Sequence, residues 1–398
     1  MKILYLANLR LPTEKAYGIQ IAKMCEAFAD SGQEVLLFYP HRQNPVISQD
    51  IFSYYSIKNN FSSKEVKSYD FYWPDFLDKI AVGIKNYFSA KALVGEALKE
   101  NADIYYTRDE LVAYLLNKEN KNVIFECHRF SNKRKVFYFW FKKKGLKIVV
   151  ISDGLKKEFL DFRIDTNKIL LARDGVDLAK FNIDISQTDA RKRLFSDLHK
   201  EAFGRKKIAV YVGHLFPWKG VSIFSETARY LCEKNANYLL FVFGGTAKKN
   251  IKVLKEELKK IEDDLCPNLV PIFFGRFPYE EVPYILKTAD CLILTGNESE
   301  TISAKYTSPL KMFEYMASGC PIVAQDLPSF REVLNDKNSF LVKPGDAKAL
   351  ADKIALVFDD NNLEMVEERT ARARKALEDV QKYTWQKRTE KIIDFINL

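Results

Sequence analysis

Short apolar runs alternate with longer amphipathic stretches along the whole chain. KILYLAN (2–8), EVLLFYP (34–40), DIYYTR (103–108), NVIFECH (122–128), KIVVIS (147–152) and KILLAR (168–173) are rich in β-branched and aromatic residues and predict strands. A second series, KIAVYVGHL (207–215), YLLFVFGG (238–245), LVPIFFGR (269–276), CLILTG (291–296) and PIVAQDL (321–327), predicts more. Between them, GIQIAKMCEAFADSG places Ile21, Met24, Cys25 and Phe28 on one helical stripe, and SIFSETARYLCEKN and PYEEVPYILKTAD repeat that period. Strands and helices alternating at these lengths imply right-handed βαβ crossovers and mostly parallel sheets, two of them at this chain length. The strand signal lapses over 178–206, where NIDISQTDARKRLFSDLHKEAFGRKK is polar and charged and marks the break between halves. After residue 346 the pattern is helical, ending in an amphipathic helix that buries Trp385, Ile392 and Phe395.

Composition adds a few exclusions. The six cysteines are scattered without a CxxC pair and the four histidines stand far apart, so neither a zinc site nor a disulfide framework is expected, only buried free thiols. No apolar run approaches the roughly 20 residues needed to cross a bilayer, and MKILYLANLRLP reads as a strand and not as a signal peptide. The expected location is cytoplasmic, peripheral at most on the inner face of the plasma membrane. Net charge is +9, but Arg129, Lys133, Arg134, Lys135, Lys142, Lys143, Lys144 and Lys147 fall in a segment with no acidic residue between Cys127 and Ser152. Such a local surplus points to a local anionic partner at 129–147, not to a uniformly basic nucleic-acid binder.

Candidate chemistry lies just after strands, where open α/β sheets bind ligands. Gly213, His214, Lys219 and Gly220 follow one strand, a glycine pair ends FVFGG, and Gly275 and Arg276 end another. SPLKMFEYMASG then predicts a helix with Ser308 as N-cap, Pro309 at its first position and Gly319 at its end. Glycines, Lys219, Lys311 and a helix N-terminus suit a diphosphate, and the Glu314 carboxylate suits the hydroxyls of a ribose. Local pattern alone fits a helix-stabilising Lys311–Glu314 pair equally well. Neither GxGxxG nor GxxxxGK[ST] occurs, which argues against dehydrogenase and P-loop readings.

The order and spacing of GIQ, FECH, VISDGLKKEF, ARDGVDLAKF, VGHLFPWKG, GRFPYEEVPYILKTADCLIL and YTSPLKMFEYMASGCPIVAQDLPSFREVL resemble those of retaining, nucleotide-sugar-dependent glycosyltransferases of family 4 (group 1). That family has the GT-B fold, α/β with two Rossmann-like doubly wound parallel-sheet domains facing across a cleft. The resemblance implies an acceptor-binding domain over 1–190 with helix 379–398 packing back on it, and a donor-binding domain over 191–378. By position, Glu314 would bind the donor ribose, Lys219 would neutralise the diphosphate and Arg276 would lie against the base. Gly213, His214, Gly275, Ser308 and Lys311 complete the expected nucleotide site. His128 would sit under the donor sugar at the reaction centre, with Gly18, Arg108, Glu300 and Tyr306 near sugar or acceptor. Two positions depart from the family: His214 stands where arginine is common, and Tyr306 stands where a first carboxylate is expected, with Glu298 or Glu300 as substitutes.

The implied reaction moves a hexose-type sugar to a glycan, glycolipid or polyprenyl-linked acceptor without cofactor or metal. An inverting transferase, an epimerase and a catalytically silent nucleotide-sugar binder stay open as alternatives, as do UDP, GDP and ADP sugars as donors. The run RKVFYFWFKKK (134–144) predicts a helix burying Phe137, Trp140 and Phe141, its lysines solvated or facing an anionic membrane surface.

Overall fold

The computed structural model describes residues 1–71, 78–195, 206–235, 237–245, 272–275 and 277–398. It divides into two compact units, Met1–Asp174 with Trp385–Leu398, and Gly175–Thr384. Residues 175–190 and 379–384, which the sequence reading placed with the first domain, lie in the second. Val176, Phe181 and Val380 are buried in the second unit's core, and Val176 N–H donates to Tyr383 O at 2.9 Å.

The first unit is built on a seven-stranded, all-parallel sheet: β1 (Lys2–Leu6), β2 (Glu34–Pro40), β3 (Ser62–Val66), β4 (Ile104–Thr107), β5 (Val123–Cys127), β6 (Lys147–Val150) and β7 (Ile169–Leu171), in the order β3-β2-β1-β4-β5-β6-β7. The second unit repeats that plan with β8 (Lys207–Val212), β9 (Tyr238–Phe243), β10 (Ile272–Gly275), β11 (Cys291–Leu294), β12 (Ile322–Gln325) and β13 (Phe340–Val342), in the order β10-β9-β8-β11-β12-β13. Central strands are apolar throughout instead of alternating, because helices cover both faces. In β8, Ile208 and Val210 enter one core while Ala209 and Tyr211 enter the other. In each sheet the order reverses once, between β1 and β4 and between β8 and β11, and such reversals leave a crevice at the strand carboxyl ends.

The helix over 134–144 differs from the expected one in its buried face. Lys135–Lys144 buries Tyr138 and Phe141, not Phe137 and Trp140. The latter two pack half-buried against Tyr114, and Trp140 Nε1 donates to Asn117 Oδ1 at 3.0 Å. Cys25, Cys127, Cys291 and Cys320 are buried free thiols, whereas Cys232 is disulfide-bonded.

Candidate functional site

In the second unit the loop after β8 and the helix Leu310–Ser318 are tied together by one side chain. Tyr315 Oη accepts from Val212 N at 2.8 Å and lies 3.3 Å from Val212 O, so the helix is indexed to the end of β8. This lock fixes Lys311 and Glu314, one turn apart, relative to the Gly213–Lys219 loop. Pro309, not Ser308, occupies the cap position, and no side chain caps the helix. Its φ of −72° and ψ of 128° are natural for proline but leave the cap without an oxygen acceptor for the first N–H groups. Ser308 is buried beside it, and Gly319 ends the helix at φ 71° as the sequence predicts.

Lys311 is 8 % exposed, and its Nζ has no hydrogen-bond partner among the described residues. It sits 3.9 Å above the Tyr211 ring, a cation–π contact that offsets part of its lost hydration. Burial, and then the neighbouring Lys219 charge, hold the Lys311 ammonium well below its usual pKa. The simple Lys311–Glu314 ion pair does not form among the described residues. Glu314 instead accepts a 2.9 Å hydrogen bond from Tyr279 Oη. Burial raises Glu314 to about 7, against the opposing pull of Tyr279, Lys180, Lys219 and Lys311. Lys219, on a short 3-10 turn closed by Gly220 in the left-handed region, is brought down to about 8 by burial, with Glu314 pulling the other way. Three lysines thus act on one carboxylate, and the Lys311 ammonium has no hydrogen-bond partner among the described residues.

Gly244 has a steric reason: a Cβ there would lie 1.8 Å from Gly213 O, and Gly244 N donates to Gly275 O. Gly275 has open space around it, and its φ of 73° is the left-handed conformation that favours glycine. His214 joins a row of aromatic side chains. Its ring stacks at 5.4 Å on Phe216, which stacks at 6.3 Å on Trp218, and Lys219 Nζ lies 5.3 Å from the Trp218 ring. Tyr306 is buried at the end of a π-helical turn, while Glu298 and Glu300 are exposed and make no bond to Glu314 or Lys219 among the described residues. Arg276 lies outside the described residues.

In the first unit His128 follows β5, two residues beyond Glu126, so strand alternation puts both on one side. Glu126 is fully buried and collects five groups: His128 Nε2, Gln20 Nε2 at 2.7 Å, Tyr106 Oη, Arg388 Nη2 at 3.0 Å and, through Gln20, Arg108. Burial opposes its charge, yet Arg388 and the His128 hydrogen bond hold Glu126 well below the usual carboxylate range. Burial and the Arg108 charge bring His128 down to about 4, so the ring is neutral at neutral pH. An ionised carboxylate only accepts, so the proton sits on Nε2 and Nδ1 is left as an acceptor. Asp174, raised to about 7 chiefly by burial, lies 3.9 Å from Arg388 Nε. Glu126, His128 and Asp174 place ligand-type atoms within 4.8 Å of one another, but the Arg388 guanidinium already supplies the positive charge that a metal would bring.

Gly18 serves packing in this unit. A Cβ there would lie 2.0 Å from Tyr55 Oη, which accepts from Thr13 N at 2.7 Å. The sequence reading missed Glu126, Arg388, Asp174, Gln20, Tyr106, Tyr279 and Lys180. Glu126 could have been found, since a carboxylate inside the otherwise apolar run VIFEC signals a buried, paired acid.

Two all-parallel sheets with this repeated strand order define a GT-B fold, and comparison with solved structures agrees. Anabaena HepE in complex with UDP and glucose superposes with a TM-score of 0.74 at 15% identity, covering 100% of this chain and 99% of that one. Residues 196–376, within the second unit, match the family model described as glycosyl transferases group 1. The chain is 26% identical over 258 residues to the Escherichia coli UDP-Gal:alpha-D-GlcNAc-diphosphoundecaprenol alpha-1,3-galactosyltransferase, and 24% identical over 242 residues to an uncharacterized glycosyltransferase of Methanocaldococcus jannaschii. These matches cover 61% and 59% of this chain but only 62% and 56% of the relatives' own lengths. Among the described residues, no helix is long and apolar enough to cross a membrane.

Proposed function

We propose that this chain is a retaining glycosyltransferase that moves a hexose-type sugar from a nucleotide-diphosphate sugar to a glycan or lipid-linked acceptor in surface glycoconjugate synthesis. The observation that carries the reading is the buried Lys311 ammonium, without a hydrogen-bond partner among the described residues, beside Lys219 and Glu314 near the β8/β11 reversal. A cation left unpaired inside a protein costs free energy, and an arriving anion relieves that cost.

In this reading the second unit holds the donor, with the diphosphate on Lys219 and Lys311 and the ribose hydroxyls on Glu314. The bond between the anomeric carbon and the diphosphate oxygen breaks, and the acceptor oxygen bonds to that carbon on the same face. The acceptor proton passes to the departing phosphate oxygen. Negative charge grows on the leaving group, so cations fixed there act mainly on the transition state. No metal is assigned to this step, because the two lysines take the charge. Neutral His128 accepts a sugar hydroxyl at Nδ1 and is not assigned as a nucleophile. The first unit is assigned to the acceptor.

The helix Lys135–Lys144 also favours an anionic lipid surface on that unit. Val136 is 69% and Phe139 62% exposed, and Lys142, Lys143 and Lys144 follow on the same helix. Apolar side chains between lysines match the acyl–headgroup boundary. A cytoplasmic enzyme peripheral on the inner face of the membrane is the corresponding location.

Calorimetric titration tests the site. Glu314→Gln keeps the size of the side chain but removes the charge, and hydrogen bonds to a charged group are worth roughly 1.5–3 kcal/mol. Affinity for UDP, GDP or ADP, whichever binds, should fall about tenfold to a hundredfold. Lys219→Ala should lower turnover more than binding. An unaltered dissociation constant in Glu314→Gln would sink the ribose assignment.

A further inference from the structure

Above β5 the first unit contains a cavity of about 440 Å³, lined by Arg108, His128, Arg129, Lys133 and Arg134, with Glu110 as its single carboxylate. That carboxylate is already engaged, accepting from Tyr138 Oη at 3.2 Å and lying 3.7 Å from Arg134 Nη1. Arg108 donates to the neutral amide oxygen of Gln20 at 2.7 Å. Arg129 and Lys133 make no side-chain hydrogen bond or ion pair among the described residues. The chain offers no local remedy, because no acidic residue occurs from His128 to Ile151. A concave wall with four cations, only Arg134 of them beside a carboxylate, and no free carboxylate fits an anion and rejects a neutral or cationic ligand. Guanidinium forks beside an ammonium suit tetrahedral phosphate oxygens. The volume lies within the range of ligand pockets, roughly 300–1,000 Å³, leaving room for a sugar ring beyond a diphosphate.

We propose that this cavity binds a phosphate or diphosphate group carried by the acceptor, held by Arg108, Arg129 and Lys133, with the acceptor's sugar directed toward His128. The word acceptor rests on the glycosyltransferase reading; the anion site itself does not. The group can come from a lipid-linked diphosphate or from a soluble sugar phosphate, which share the chemistry that the cavity recognises. Lys133 lies directly before the helix that exposes Val136 and Phe139, which favours the lipid-linked source.

The test titrates inorganic diphosphate into the full chain while saturating UDP (or GDP or ADP, if that binds) occupies the second unit. One site is expected, weakened about tenfold to a hundredfold in Arg129→Gln/Lys133→Gln, since each lost contact is a charge-assisted one. Both side chains are exposed, so the variant should keep its Tm and its nucleotide affinity. Absence of binding under saturating nucleotide, or unchanged affinity in the variant, would overturn the proposal. Steady-state kinetics then separate the sources. A raised KM for a short-chain prenyl-diphosphate acceptor supports the lipid-linked form, a raised KM for a sugar phosphate supports the soluble one, and unaltered KM for both overturns the site. If wild-type protein binds no nucleoside diphosphate, the donor reading fails by itself; diphosphate binding that disappears in the double variant would still establish the cavity's ligand.

Discussion

Arg388 and Glu126 form a buried ion pair in the first unit, Nη2 to Oε1 at 3.0 Å, although the arginine follows the whole second unit in sequence. Both side chains are almost completely buried, and Arg388 Nε also donates to Arg173 O at 3.0 Å. The pair is the charge balance beneath His128: without the guanidinium, the carboxylate that orients the ring would be an isolated buried anion.

Arg388→Met is therefore expected to destabilise the fold by about 3–5 kcal/mol, the range for removing one partner of a buried pair. Adding Glu126→Gln should recover much of that loss, because no charge is then left uncompensated. Denaturant midpoints of the two single variants and the double variant measure the coupling. Simple additivity would show that the two side chains do not stabilise each other.

A second expectation concerns pH. Glu314 stands at about 7 and Lys219 at about 8, with burial the first cause of both shifts. Ribose hydroxyls need the carboxylate ionised, and a diphosphate needs the ammonium protonated. Below pH 7 Glu314 takes up a proton; above pH 8 Lys219 loses one. Affinity for a nucleoside diphosphate should peak between these values and fall on each side, by at most about tenfold per pH unit for each group. The ligand phosphate itself titrates near pH 6, roughly, so Glu314→Gln is the control. Its acid limb should shrink while the alkaline limb stays, and identical profiles for the two proteins would remove Glu314 from the site.

The basic helix end gives a third. Lysines near anionic lipid are worth about 1 kcal/mol each, so Lys142→Gln/Lys143→Gln/Lys144→Gln should weaken binding to phosphatidylserine vesicles by about a hundredfold. Binding to neutral vesicles should be weak for both proteins. Sedimentation with vesicles decides, and equal binding of wild type and variant to the charged vesicles would leave those lysines as plain solvated charge.

The central strands were legible because they are buried on both faces and carry long apolar runs. Two of the edge strands were not: β3 is SSKEV, polar and mostly exposed, and β13 has only the three residues Phe340–Val342. In the second unit's site Lys311 and Glu314 were readable from local spacing, but the choice between an ion pair and an open site was not. It turns on Tyr279, which takes the carboxylate, and on Tyr211, which takes the ammonium. Lys180 acts on Glu314 from a segment far off in sequence. Glu126 carried a local signal and Arg388 carried none. An arginine in an amphipathic helix reads as solvent-facing until the fold shows where it goes.

That long-range pairing imposes an order on synthesis. A ribosome releases β1–β7 first, then all of Gly175–Thr384, and only then Arg388. Throughout that interval the nascent first unit holds Glu126 without its guanidinium partner. The part of the molecule translated first is thus the part completed last, and the second unit has its full set of residues before the first unit's core reaches charge balance.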